Sequence, residues 1–288
     1  IVVIYRATGI LNFAQGELAT LSGYVGYLFL VPAGAAVAGA DLLSWVPGRP
    51  WPAPLAILAA VVFGFLAGAL VERLLIRPLE GRNELSIVNV SIGLLITINA
   101  LMAEIWGTTS RRFDSPFPSA PDAFVPVLGA RLRYQSLGVW ATVLVVLGLL
   151  GLFLQRSKVG LAFRAITANR ASAELVGVRT GRILMIGWAV AAALGALAAA
   201  LVSGVVFLEP SLMIRVLIYA FAAATIGGLD SPLGAVVGGI IVGLTQSLVP
   251  GYLGVPTELS LLPPLVAMFA VLTAKPTGLF GTARVERV

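Results

Sequence analysis

Asn12, Gln15 and Glu17 fall within the stretch Gly9-Ile10-Leu11-Asn12-Phe13-Ala14-Gln15-Gly16-Glu17, at the mouth of a run without charge from residue 18 to residue 40. Two amides and a carboxylate are costly at the edge of a membrane span. A charge at mid-helix costs about 2.5–3.5 kcal/mol on insertion scales. Polar groups gather where a broken helix borders a translocation route, which makes these three candidates for pathway lining. Capping gives a second reading, in which Thr8 or Asn12 caps the second helix and Glu17 sits near its positive end. If the stretch is one continuous helix, Glu17 lies about 7.5 Å beyond Asn12. Both roles can hold together.

Asn89 and Asn99 stand ten residues apart in a later apolar segment, close to one helical face. They either line the same pathway or join helices by hydrogen bonds. Other chemistry is poorly equipped. The chain has no Cys and no His, so thiol nucleophiles, disulfides, the commonest metal ligand and the usual proton shuttle are missing. No metal site or cofactor is expected. An intramembrane enzyme would have only carboxylates and hydroxyls to work with. Neither Lys158 nor Lys275 follows a glycine, so no phosphate-cradling loop exists and any nucleotide must be hydrolysed by a partner.

The elements that must hold these residues are membrane helices. The chain is 59% hydrophobic and 11% charged over 288 residues, against about 25% charge in soluble domains. Uncharged stretches over 53–71, 85–103, 134–154, 183–208 and 231–257 have the length of a span, about 20 residues. In lipid every backbone amide is paired internally, which makes such stretches helices. The expectation is an all-α polytopic helix bundle, one transmembrane domain over 1–288 with about eight to nine membrane segments. These are 1–6, 11–30, 53–71, 86–106, 137–154, 183–208, 212–228, 232–250 and 259–274. The first reads as the inner end of an N-terminally truncated helix. Gly227-Gly228-Leu229-Asp230-Ser231-Pro232 is either a re-entrant break or a full loop.

The net charge of +6 is scattered between apolar runs and forms no stripe for nucleic acid. With the first segment running inward, Arg6, Arg73, Arg77, Arg82, the basic residues of 154–182, Lys275, Arg284 and Arg287 lie inside, while Arg49, Arg111, Arg112, Arg131, Arg133 and Arg215 lie outside or near the outer face. That is the bias of a multi-pass protein. The outer connections 31–52 and 107–133 are rich in Pro and predict irregular loops. Small residues spaced by four, Gly187, Ala191, Gly195, Ala199 and Ser203, with Gly64 and Gly68, Gly234 and Gly238, and Gly239 and Gly243, predict close helix packing within the bundle or between subunits.

The inner stretch differs in kind. Asn169 caps a short helix over 170–176 that Gly177 stops. Charge alone does not call for Ala162, Ala165, Ala168, Ala171 and Ala173 beside Leu175 and Val176. Small apolar positions on a short helix suit insertion into a groove of another protein.

Ile4-Tyr5-Arg6-Ala7-Thr8-Gly9 through Glu17, Glu72-Arg73 with Arg77-Pro78-Leu79, Gly160-Leu161-Ala162-Phe163-Arg164-Ala165 through Gly177-Val178, Gly227-Gly228-Leu229 with Pro232-Leu233-Gly234-Ala235, and Pro276-Thr277-Gly278-Leu279-Phe280-Gly281 occur in that order. Together they resemble the LivH-type permease subunits of branched-chain amino acid ABC importers, nearly end to end. Ile98-Asn99-Ala100 departs from relatives that carry a glutamine beside the asparagine. The resemblance implies a permease of the bacterial inner (plasma) membrane that moves a hydrophobic amino acid inward by alternating access. Its partners would be membrane lipid, a second permease subunit in a heterodimer, two ABC ATPase subunits and a periplasmic or lipid-anchored binding protein.

It further implies an ATPase-coupling segment over about 155–182 using Arg164, Ala165, Asn169, Leu175 and Gly177. A binding-protein surface at Arg111, Arg112 and Asp114 completes the set, with Asn12, Gln15, Glu17, Asn89 and Asn99 along the pathway. Urea and short-amide importers share the architecture but usually have a histidine in their counterpart of 12–17. An ion-coupled secondary transporter, with Glu17 or Asp230 carrying a proton or sodium ion, is the rival of another class.

Overall fold

The computed structural model describes residues 1–9, 11–31, 50–81, 84–120, 122–127, 130–254, 256 and 259–281. Arg49, Arg82, Arg284, Arg287 and most of the 31–52 connection lie outside these residues. The helices are α1 (Val2–Thr8), α2 (Gln15–Leu30), α3 (Ala53–Val71), α4 (Glu84–Trp106), α5 (Tyr134–Arg156), α6 (Lys158–Ala168), α7 (Arg170–Leu175), α8 (Thr180–Ser203), α9 (Leu212–Gly227), α10 (Pro232–Leu253) and α11 (Leu262–Ala274). A π turn, Glu72–Ile76, and a 3₁₀ turn, Arg77–Leu79, extend α3.

Among the described residues five helices, Ala53–Leu79 with its turns, Leu85–Trp106, Tyr134–Arg156, Thr180–Ser203 and Pro232–Leu253, are long and apolar enough to cross a membrane. The shorter α1, α2, α9 and α11 fall where the other four segments were expected. Two bounds move. The second segment starts at Gln15 and not at residue 11, and the sixth ends at Ser203 and not at residue 208.

The 107–133 connection is more regular than its prolines suggest. β1 (Phe124–Val127) and β2 (Ala130–Arg133) form an antiparallel hairpin with Phe124 opposite Arg133 and Pro126 opposite Arg131. Both strands of a lone hairpin are edge strands, where a proline costs no ladder bond if it faces outward.

The chain divides into two compact units, one of Ala14–Met213 and one of Ile1–Phe13 with the chain from Ile214 onward. In the larger unit α3 and α8 pack almost backbone to backbone. A Cβ on Gly68 would stand 2.6 Å from the Ala192 Cβ and 2.7 Å from the Trp188 carbonyl oxygen, and one on Gly64 would stand 2.8 Å from the Ala196 Cβ. Gly26 of α2 meets Ala56 and Ala60 of α3 at the same kind of distance. Gly195 faces Gln15 and Ala19, and Gly187 faces the Phe163 ring. The four-residue stripe therefore serves packing inside this unit.

In the smaller unit α9 and α10 join through a tight turn. Gly228 has φ +106°, the left-handed region that glycine tolerates. The Ser231 hydroxyl accepts from the Gly234 N–H at 3.0 Å, capping α10. The segment at 278–281 lies across this turn, with the Leu279 N–H on the Ile226 carbonyl at 2.8 Å and the Phe280 N–H on the Gly227 carbonyl at 2.9 Å. Gly234 and Gly238 approach the backbone of α9 closely. Gly239 and Gly243 do not repeat this; among the described residues nothing would meet a Cβ on either within 4 Å.

Candidate functional site

Glu17 sits in the first turn of α2 and is 1% exposed. The N-cap position of α2 is Ala14, two residues beyond Asn12. The Thr8 hydroxyl donates to the Ile4 carbonyl at 2.9 Å within α1, and α1 ends at Gly9 with φ 72°. Asn12, 3% exposed, lies outside both helices.

Tertiary hydrogen bonds hold the start of α2. The Gln15 amide donates to the Ala191 carbonyl at 2.8 Å, in a buried setting. Ala191 lies near the middle of the 24-residue α8, about 16 Å along it from Thr180. The N-terminus of α2 is therefore at mid-depth of the bundle and not at its surface. Gly195 permits this, because a Cβ there would stand 2.9 Å from Gln15 Nε2.

Asn99 of α4 completes the cluster. Its Nδ2 donates to Glu17 Oε2 at 3.4 Å and to the Pro210 carbonyl at 3.2 Å. Glu17 Oε1 is buried and has no hydrogen-bond partner among the described residues. The stretch after α8 reaches inward to meet this group: Leu208 is fully buried, and its Cδ1 would contact a Cβ on Gly23 at 3.4 Å. A buried polar cluster beside a helix N-terminus in the middle of an apolar bundle is the arrangement that membrane carriers use to meet a polar substrate group. Asn89 is not part of it. It is exposed on α4, while Asn99 is half-buried, because a separation of ten residues turns a helix by about 80° from a shared face. The carbonyls of Ala191 and Pro210 were invisible in a reading of side chains, though Gly195 in the small-residue stripe marked the place.

Arg111, Arg112 and Asp114 separate as well. Arg111 donates to the Trp106 carbonyl at 2.7 Å and stands over the Tyr27 ring at 5.7 Å. Its backbone pairs with that of Leu208. Arg111 thus ties two connections together, while Arg112 and Asp114 remain at the surface as a loose pair at 3.9 Å.

The 155–182 segment holds two capped helices. The Ser157 hydroxyl accepts from the Gly160 N–H at 2.8 Å and opens α6; the Asn169 carboxamide oxygen accepts from the Ser172 N–H at 3.0 Å and opens α7. Gly177, with φ 86°, ends α7, as its sequence position indicated. Phe163, Ile166 and Ala173 turn into the unit and are buried, whereas Leu175 and Val176 are 88% and 79% exposed. Arg164 is exposed and donates to the Gln155 carbonyl at 3.2 Å; Ala165 is half-buried. The Thr180 hydroxyl and the Arg170 guanidinium hold the Glu174 carboxyl below the usual carboxylate range. Replacing Asn169 by alanine is expected to cost about 1 kcal/mol of local helix stability. Hydrogen exchange of the 170–177 backbone should quicken about fivefold while that of α8 stays unchanged.

A family model described as the branched-chain amino acid transport system / permease component matches residues 1–272. The high-affinity branched-chain amino acid transport system permease protein LivH of Salmonella typhimurium is 26% identical over 294 residues, 99% of this chain and 90% of that protein. The permease protein BraD of the same kind of system in Pseudomonas aeruginosa is 28% identical over 299 residues, covering 99% and 91%. A protein of Methanocaldococcus jannaschii described as a probable branched-chain amino acid transport permease is 26% identical over 293 residues, covering 96% and 85%. No solved structure matches the chain.

Proposed function

This chain belongs to the branched-chain amino acid transport permease family as a multi-pass protein of the inner membrane, and we propose that it forms one half of the path of an ATP-driven importer. It is a transport subunit and not an enzyme. On this reading a binding protein delivers a branched-chain or other hydrophobic amino acid, a second permease subunit completes the conduit, and two ATPase subunits supply the energy. Residues 1–288 act as one permease domain. Asn12, Gln15, Glu17 and Asn99 border the route, with Asn89 on the open face of α4. Arg112 and Asp114 offer the outer docking surface, and Arg111 holds their loop.

The tip of α7 supports the reading most. Leu175 and Val176 are exposed at the end of a short helix whose start is capped by Asn169. Burying one such side chain is worth about 1.5–3 kcal/mol, so a groove on an ATPase would gain from taking both. Arg164, Ala165, Asn169, Leu175 and Gly177 form or shape that contact.

Ala165→Glu combined with Leu175→Glu should abolish co-purification of the ATPase subunits while the permease still runs as a folded, membrane-extracted protein. Retained ATPase would remove the assignment of this surface. Reconstitution separates the ion-coupled rival: accumulation by the permease without ATPases, following a proton or sodium gradient, would sink the ATP-driven reading.

A further inference from the structure

Six polar side chains and the Gly181 carbonyl lie at the end of α3 and the start of α8, and they form two ties. In the first, Arg77 grips Glu72 with two nitrogens, Nη2 to Oε2 at 2.9 Å and Nε to Oε1 at 3.3 Å. The same Nη2 donates to the Gly181 carbonyl at 2.7 Å. Glu72 is completely buried, and a two-pronged guanidinium–carboxylate pair fixes orientation as well as distance. The π turn and the 3₁₀ turn that follow α3 are thereby pinned to the first turn of α8.

In the second tie Arg170, in the first turn of α7, reaches two carboxylates on different elements. Its Nη2 donates to Glu80 Oε2 at 2.9 Å, just past the 3₁₀ turn, and its Nε donates to Glu174 Oε1 at 3.2 Å. The Thr180 hydroxyl, at the start of α8, donates to the same Glu174 oxygen at 2.9 Å. One guanidinium thus joins the end of α3 to the body of α7, and Glu174 carries the link on to Thr180 at the beginning of α8. The turn after α7 closes the frame, with the Val178 N–H on the Ala173 carbonyl at 3.0 Å.

Stability does not explain this arrangement. The pairs of Arg170 lie at the surface, with side-chain exposures of 43%, 23% and 49% for Arg170, Glu80 and Glu174. Such pairs contribute roughly 0–1 kcal/mol. What they fix is geometry. Above the ties, α3 and α8 are packed at the glycine contacts described, with no room to slide, and close-packed helices transmit displacement instead of absorbing it. Ala191 of α8 then holds Gln15, two residues from Glu17.

We infer that Arg170 is a positioning residue that joins α7 to the inner ends of α3 and α8, so that force applied to α7 reaches the Gln15–Glu17–Asn99 cluster as one rigid displacement. This rests on the reading that α7 meets an ATPase. Its distinguishing consequence is uncoupling: without Arg170 the motor still binds and turns over, and the path no longer follows it.

The experiment uses the full complex in proteoliposomes. The wild-type complex must first co-purify with its ATPases; failure there counts against the proposed function and not against the bracket. Arg170→Ala should then keep the ATPase attached and hydrolysis within about twofold of wild type, while substrate moved per ATP falls at least tenfold. Reversing the charges together, Glu80→Arg, Arg170→Glu and Glu174→Arg, should restore at least half of the lost coupling. Unchanged transport per ATP in Arg170→Ala would overturn the inference. So would loss of ATPase attachment, which makes Arg170 a docking contact. Failure of the reversed set to rescue would overturn it too.

Discussion

Glu17→Gln is expected to leave the permease at least as stable as wild type while lowering uptake at least tenfold. The stability sign follows from the geometry. Glu17 is 1% exposed and one of its oxygens has no partner among the described residues. An imperfectly compensated buried charge costs several kcal/mol. Glutamine keeps the shape and an oxygen to accept from Asn99, and leaves at worst an unmade amide bond, about 1–3 kcal/mol. A residue kept only for structure would therefore gain or break even by losing its charge.

Transport goes the other way if the carboxylate meets a polar group of the substrate during passage. A tenfold loss corresponds to about 1.4 kcal/mol at the limiting step, modest for one charged contact in a low-dielectric setting. Thermal unfolding in detergent and uptake by the reconstituted complex give the two readings. Full uptake with unchanged stability would leave Glu17 without a role in passage. Asn99→Ala gives the contrast, because it removes a donor shared by Glu17 and Pro210 and should lower both quantities.

What the sequence made legible is what local chemistry decides. The long spans follow from composition, since uncharged stretches of spanning length have no other stable conformation in lipid. The limits of α7 follow from Asn169 and Gly177, whose side chain and φ preference act within a few residues. The start of α2 was not legible for the opposite reason. Asn12 marked the neighbourhood, but the helix begins where Gln15 can reach the carbonyl of Ala191, a partner 176 residues away. The turn of about 80° between Asn89 and Asn99 follows from their spacing, but which of the two is buried is decided by α2 and the stretch after α8, distant in sequence. The hairpin at 124–133 was masked by Pro126, which weakens any strand reading made without knowing that both strands are edges.

Gly68→Val is expected to destabilise the permease by about 3 kcal/mol, at the upper end for an overpacked contact, and to abolish uptake. Helices in lipid associate chiefly through van der Waals packing, and small residues set how near they come. At Gly68 the nearest atoms to an added Cβ are the Ala192 Cβ at 2.6 Å, the Trp188 carbonyl oxygen at 2.7 Å and the Ala189 Cα at 3.1 Å. Two of these are backbone, so no rotamer change relieves the clash and α3 must move away from α8. That movement would also open the Gly64 contact with Ala196, and it would disturb the frame in which α8 holds Gln15. Gly68→Ala should show a smaller loss of the same sign, because it adds the Cβ without the branch. Gly239→Val supplies the control on α10, where nothing stands within 4 Å among the described residues, and should leave the stability of the isolated chain unchanged. Thermal unfolding of the three variants in one detergent orders them. Equal stability of Gly68→Val and Gly239→Val would mean that the close approach of α3 to α8 does not hold the unit together.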